Sequence, residues 1–312
     1  MSIKHTGPLS SVGSKMDAMV DAATLSLLHA RLARALAPPA VRLVPLVIGG
    51  SRVGALTVER VTRIARFERI FRVNSDAVEF VPSLADTSAR SAALAEVART
   101  LAGEGALSTW RDERYAVRAD AGGPVLFELE RAAARYFGVH TVAVHVNGLV
   151  DAGGATRMWL ARRSPTKAID PSQLDNLVGG GVAAAMTVAD TLVKEAWEEA
   201  GIDAALAASA RPCGTVGIYR LQPDGVQRET IHVHDLWLSP AFVPMNQDGE
   251  AIEHRCVSLA ESARLAAQSE GPGVVTADAS LVIVDCLLRH GAVPGDSPWH
   301  TRLSLLRGQR PG

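Results

Sequence analysis

The stretch Leu174 to Ile202, LDNLVGGGVAAAMTVADTLVKEAWEEAGI, constrains this chain more than any other. Three consecutive glycines, 179 to 181, precede a segment whose pattern predicts a helix ending in Glu195, Glu198 and Glu199. Residues at i, i+3 and i+4 share a helix face, so three carboxylates stand on one side and repel. A bound divalent cation such as Mg²⁺ is one resolution of that crowding, and a solvated acidic face is the other. The glycines favour the cation, because backbone there can approach a ligand with no side chain in the way. They read as a turn opening the helix, and Gly201 reads as its C-cap, with Ile202 beginning the next apolar contact.

The rest of the chain divides at Ala121-Gly122-Gly123-Pro124, into a small α+β module over 1–120 with a disordered start and a second domain over 121–312. Leucines 25, 28, 32 and 36 predict a helix over 21–36, stopped by Pro38-Pro39. Two hairpins follow, over 41–56 and 70–81, with a short helix between them and a longer one over 88–104. This first region shows no catalytic pattern; support, substrate selection and homodimer contact are the roles open to it. Beyond the boundary the pattern predicts a helix over 125–137, strands over 139–146 and 158–162, a hairpin over 214–238 about Pro223-Asp224-Gly225, helices over 257–268 and 277–290, and a loose tail after Gly295.

Charge and cysteine content limit the partners. A net charge of -1 gives no overall basic field for nucleic acid or membrane. No apolar run approaches the roughly eighteen residues of a membrane span, and the polar first twenty residues lack the apolar region of a secretory signal, so a cytoplasmic location is expected. Cys213, Cys256 and Cys286 are widely spaced and read as reduced thiols. Arg162, Arg163 and Lys167 place three cations within six positions, a grip for a diphosphate or equally a solvated loop. His232 and His234 face one side of their strand without a third ligand and read as a polar face.

The glycine and glutamate spacing resembles the signature of the Nudix hydrolases, G-x5-E-x7-R-E-U-x-E-E-x-G-U with U aliphatic. Gly180 takes the first position, Lys194 stands in place of the Arg, and Glu195, Glu198, Glu199, Gly201 and Ile202 match. Met186 replaces the first Glu, and Ala196 fills an aliphatic position. The stretches WRDERYAV, LERAAARYFGVHTVAVHVNGLV, MWLARRSPTKAIDPSQLDNLVGGG, HDLWLSPAFVPMNQDGE and LVIVDCLLRHG further resemble the Nudix subfamily associated with thiamine pyrophosphokinase. The resemblance implies an α/β fold, a Nudix α/β/α sandwich preceded by a small α+β domain. It also implies Mg²⁺- or Mn²⁺-dependent hydrolysis of a small-molecule diphosphate, thiamine diphosphate or its oxo- and oxy- analogues.

In the family the signature carboxylates hold the metals, which here implies Glu195, Glu198 and Glu199, with the Gly179 carbonyl as a further ligand. Gly180, Lys194 and Gly201 are then structural, and Asp190, one turn before Lys194, is expected to pair with that lysine and replace bracing lost at Met186. Glu195 and Glu250 are both open as the general base, with Glu199 also in the catalytic group; a surface turn at Asp248-Gly249 is the plainer reading of Glu250. Trp159, Trp237 and Phe242 are the aromatics nearest in sequence for a heterocycle, each as well explained by the core. A broader nucleoside-diphosphate hydrolase acting on ADP-ribose or nucleotide sugars, and a diphosphate sensor without turnover, are the competing readings.

Overall fold

The computed structural model describes residues 19–107 and 110–308. The expected disordered start falls on residues outside these. The chain opens with α1 (Ala22–Ala35), capped by Asp21, whose carboxylate accepts from Thr24 N at 2.8 Å. Then come β1 (Leu43–Ile48), β2 (Ser51–Thr57), α2 (Val58–Ile64), β3 (Phe71–Val73), β4 (Val78–Phe80) and α3 (Thr87–Gly103). These strands make one sheet in the order β2-β1-β4-β3. Strands β5 (Arg114–Val117) and β6 (Phe127–Glu130) pair antiparallel beside it.

The helix expected over 125–137 is a correction. Residues 127–130 are strand β6, 131–133 a 3₁₀ turn, and only Ala134–Phe137 is α-helical, as α4. Phe127 and Leu129 are both buried while Glu128 between them is not, a two-residue alternation that pairing with β5 exploits over helical propensity.

The second sheet holds β7 (His140–Asp151), β8 (Thr156–Arg163), β9 (Leu174–Asn176), β10 (Val178–Gly181), β11 (Arg211–Gln222), β12 (Gly225–Leu238) and β13 (Ala251–Ser258). Its main path is β11-β12-β7-β8-β13, with β10 on β7 and β9 on β8; β12 runs parallel to β7, and the other pairs are antiparallel. On one face lies α5 (Val188–Ala200), with the short α6 (Ala204–Ala207) after it. On the other lie α7 (Leu259–Ala266), α8 (Ala277–Arg289) and α9 (Pro298–Arg307). The architecture is thus an α/β/α sandwich joined to an α+β region.

Three further expectations change. Glycines 179–181 form strand β10 rather than a turn, because they pair with Ala143 to His145 of β7. Val257 and Ser258 end β13, and α7 begins only at Leu259, where Ser258 caps it by accepting from Glu261 N. Over its described residues the segment after Gly295 is not loose: Ser297 caps α9, Pro298 occupies its first turn, and Leu303 and Leu306 are buried.

The cores also cross the expected boundary at 120/121. Tyr115 to Val139 pack with β1, β2 and α3 in the first core. Helix α1 instead packs with α7, α8 and α9 against the second sheet, through Leu25, Leu28, Leu32 and Leu36. Arg31 fixes that docking, donating to the Ala266 and Val275 carbonyls and to Ser280 Oγ at 2.8 Å.

Candidate active site

Helix α5 begins with a capping box: Thr187 Oγ1 accepts from Asp190 N, and the Asp190 carboxylate accepts from Thr187 N, both at 3.1 Å. It ends on Gly201 at φ 65°, with Ile202 N donating to Ala196 O at 3.0 Å, as the spacing predicts. Asp190 is therefore a cap residue and not the partner of Lys194. Lys194 Nζ instead reaches Glu198 at 2.6 Å and Glu195 at 3.0 Å on the helix's own last turns. Met186 lies in the turn just before the cap.

Between the caps, Glu195 and Glu199 turn inward onto β10. Gly179 N donates to Glu199 Oε2 at 2.8 Å. A Cβ on Gly180 would stand 2.5 Å from the Glu195 carboxyl carbon, so glycine there is what lets that carboxylate lie on the strand. Burial raises the Glu199 carboxyl pKa, with the Glu195 charge adding to it. Glu195 is also raised by burial, with Lys194 opposing. Lys194 partly offsets the charge of Glu195, whereas Glu199 has the Gly179 N–H and, at longer range, Lys167.

Hard oxygen donors in a desolvated, mutually repelling pair suit a Mg²⁺-type cation. Glu198 departs from the set by facing Lys194, and no three carboxylate oxygens of α5 lie within 4.8 Å of one another; among the described residues only Asp235, Cys286 and His290 gather so closely. That second group is an ion-pair hub. Asp235, fully enclosed, accepts from Arg289, from His290 Nε2 at 2.9 Å and from Asn147 Nδ2 at 3.0 Å, so its lone pairs are already engaged. His232 and His234 belong to no such group.

Strand β10 floors a cleft of about 190 Å³. Of the expected diphosphate grip, Arg163 and Lys167 line it and Arg162 does not. Arg162 is buried, paired with Glu253 at 2.6 Å and donating to the Ser172 and Pro272 carbonyls. Successive residues of β8 point to opposite faces, which separates Arg162 from Arg163. Arg163 is held by Asp175 at 2.9 Å, and Lys167 pairs with Glu250 at the rim. Burial pulls the Lys167 pKa down, Glu199 opposes this, and nearby Arg163, Arg131 and Arg111 deepen it.

Trp159, Trp237 and Phe242 do not line the cleft. Trp159 and Phe242 pack in the core beneath α5, and Trp237 is half exposed with its edge toward His290. The aromatic that does line it is Tyr115. Arg111, Arg131, Arg135, His145, Asp170, Asp175, Asp224, Glu229 and Asp278 are further lining side chains that the sequence pattern left unmarked. The charged stretch WRDERYAV was the available signal for Arg111 and Tyr115.

His145 has an orientation fixed from outside the cleft. Asp235 is acceptor-only as a carboxylate, so Asn147 donates to it with Nδ2 and accepts with Oδ1 from Asn176 Nδ2 at 3.3 Å. Asn176 Oδ1 must then accept from His145 Nδ1–H at 2.7 Å. The imidazole consequently carries a proton on Nδ1 and lies with its ring against Gly179.

With this geometry in place, comparison with known proteins is informative. The NUDIX domain model matches residues 139–277, covering β7 through the start of α8. Residues 139–277 form a Nudix domain. A model described as a domain of unknown function (DUF4743) matches residues 28–141 ahead of it. The chain is 38% identical over 223 residues to Nudix hydrolase 24, chloroplastic, of Arabidopsis thaliana, spanning 72% of this chain and 60% of that protein. It is 38% identical to Nudix hydrolase 20, chloroplastic, of the same plant, over 67% of this chain and 55% of that one. It is 29% identical to an uncharacterised protein of Saccharomyces cerevisiae, over 76% of this chain and 73% of that one. The chain thus spans less than two thirds of the plant relatives' length. The Nudix domain includes α5 and β10, and the cleft wall opposite them is built by residues ahead of it.

Proposed function

We propose that the chain is a Nudix-type hydrolase, dependent on Mg²⁺ or Mn²⁺, of a diphosphate joined to an organic group, acting on thiamine diphosphate and its oxo- and oxy- forms. The observation that carries this reading is strand β10: the desolvated Glu195–Glu199 pair packs against its glycines, and the same glycines line the cleft that Arg163, Lys167, Arg131 and Arg111 share, although the two carboxylates are not themselves in its lining. Glu195 and Glu199, with Glu198 and the Gly179 backbone, would hold the divalent cation, which when bound supplies charge neutralisation and an activated water. Arg163 and Lys167 bind and orient the diphosphate oxygens.

Glu250 sits on the rim with its side chain 38% exposed, off the helix that carries the metal-binding carboxylates. We assign it as the base that takes the proton from the attacking water, in place of Glu195. The water oxygen bonds to phosphorus, the bridging P–O bond breaks, and organic monophosphate and inorganic phosphate leave. Glu250→Gln is expected to slow turnover about 100-fold and to remove the acid limb of the rate–pH profile; an unchanged profile returns the role to Glu195.

Of the lining acids Asp224 pairs with Arg135 and Asp278 with Arg220, which leaves Asp170 as the acid best placed to accept from a donor on the organic group, and the single lining tyrosine offers no sandwich for a nucleobase. The deciding experiment offers Mg²⁺ and a panel of thiamine, oxothiamine and oxythiamine diphosphates, ADP-ribose and nucleotide sugars, measuring phosphate or monophosphate release. Release from the thiamine compounds supports the reading. Preference for ADP-ribose transfers it to the broader hydrolases, and tight binding without release makes the domain a sensor.

A further inference from the structure

The cleft wall facing the Nudix domain comes from residues 111–135, within the segment whose family model carries no function. Two of its side chains reach the cleft with their polar atoms unpaired among the described residues. Tyr115 is 7% exposed and lies across Gly181, where any Cβ would collide with its hydroxyl; among the described residues that hydroxyl has no hydrogen-bond partner. Burial raises its pKa, so the phenol remains a donor at neutral pH. The ring is buried but the residue lines the cleft, so a group entering the cleft can complete the hydroxyl.

Arg111 is the second. Its backbone is pinned, because its N–H donates to the buried Glu130 carboxylate at 2.9 Å, and Asp112 beside it adopts a left-handed φ of 56° locked by Trp110 Nε1 at 2.6 Å. The Arg111 guanidinium forms no ion pair, whereas Arg131 has Glu113, Arg163 has Asp175 and Lys167 has Glu250. The segment is held to the turn that follows the glycine strand by Ala184 N donating to Arg114 O at 2.7 Å. Free cationic charge therefore faces β10 from a rigid mount, and what it lacks is an anion.

We propose that this segment is a working wall of the substrate site: the Tyr115 hydroxyl donates a hydrogen bond to a phosphate oxygen of the bound diphosphate, and the Arg111 guanidinium pairs with the same group. The module ahead of the Nudix domain thereby selects for a diphosphate rather than serving only as support. The assignment rests on the diphosphate reading of the cleft, and its test has an arm independent of turnover.

Binding of imidodiphosphate, whose P–N–P bridge resists hydrolysis, is measured by calorimetry with Mg²⁺ on the full chain and on Tyr115→Phe, Arg111→Gln and Arg111→Lys. Each of the first two is expected to weaken binding about tenfold, as loss of one hydrogen bond to a charged group does, with Arg111→Lys recovering part. With a turned-over substrate the same variants raise KM and leave kcat within about twofold. Because the Tyr115 hydroxyl is unpaired and Arg111 exposed, neither melting temperature should fall. Equal imidodiphosphate affinity in wild type, Tyr115→Phe and Arg111→Gln, or no binding by any of them, overturns the proposal. Failure of the wild type to hydrolyse any diphosphate, with binding lost in the variants, overturns only the hydrolase reading.

Discussion

Glu199 carries opposing demands. Its carboxylate is buried beside Glu195, and folding raises its pKa above the ordinary 4.5. A carboxyl with a raised native pKa holds its proton more tightly when folded, so stability is unaffected below the unfolded value and falls as pH rises through the native one. Without divalent cation, Glu199→Gln should therefore melt above the wild type near pH 8, and the two should converge toward about pH 4. With Mg²⁺ the same variant should lose at least about 100-fold in turnover. Gly180→Ala tests the neighbouring contact: its Cβ enters the space of the Glu195 carboxyl, a movable side-chain end, so activity should fall steeply while the melting temperature changes little. At this scale the sequence exposed what depends on local spacing. Glu195, Glu198, Glu199 and Gly180 could be named because a helix and a fixed offset place them. Arg162, expected beside Arg163, does not line the cleft because neighbours on a strand point to opposite faces, and Tyr115 and His145 carry no local signal because only tertiary pairing brings them to β10.

Helix α5 was legible as an element because its caps and its amphipathic face agree. The sequence misled only on Asp190, whose carboxylate closes the capping box rather than bracing Lys194. Asp190→Ala should then cost about 1 kcal/mol of stability in denaturant melts and leave kcat/KM within about twofold, because the Lys194–Glu195–Glu198 contacts persist. Substantial loss of activity at unchanged stability would restore the bracing role. The elements that defeated pattern reading share one cause. Over 127–130 and 179–181, strand pairing with a distant partner decides between structures that local propensity leaves undecided or favours wrongly. Over 298–307, Leu303 and Leu306 are too few to signal a helix until α1 and α8 are there to bury them.

The whole molecule interleaves its cores. Helix α1 belongs to the outer layer of the Nudix domain, and residues 43–139 build the other core before the chain returns as β7. A single cut at residue 120, natural by turn composition, would split the first core and strip α1 from the second. A fragment beginning at Val139 should aggregate or melt far below the full chain, because the sites of Leu25, Leu28 and Leu32 would open to water at roughly 2 kcal/mol each. Adding a peptide of residues 20–37 should recover part of that loss; a fragment as stable as the full chain would contradict the shared core. Such long-range docking leaves no mark in local periodicity, which shows α1 as amphipathic without naming its partner.

This threading also sets an order of events during synthesis. Helix α1 leaves the ribosome before its counterpart α9, which it meets through the His29 ring, tilted 54° to that of Trp299 with centroids 5.9 Å apart. Its leucine face must wait, solvent-exposed or sheltered by a chaperone, while the first core, built from residues 44–139, can already close without it. The outer helical layer is completed only when residues 298–307 arrive, so a ribosome that stalls before them releases a nascent chain with α5, α7 and α8 made but without the α9 side chains Leu303 and Leu306 that join the core of α7 and α8.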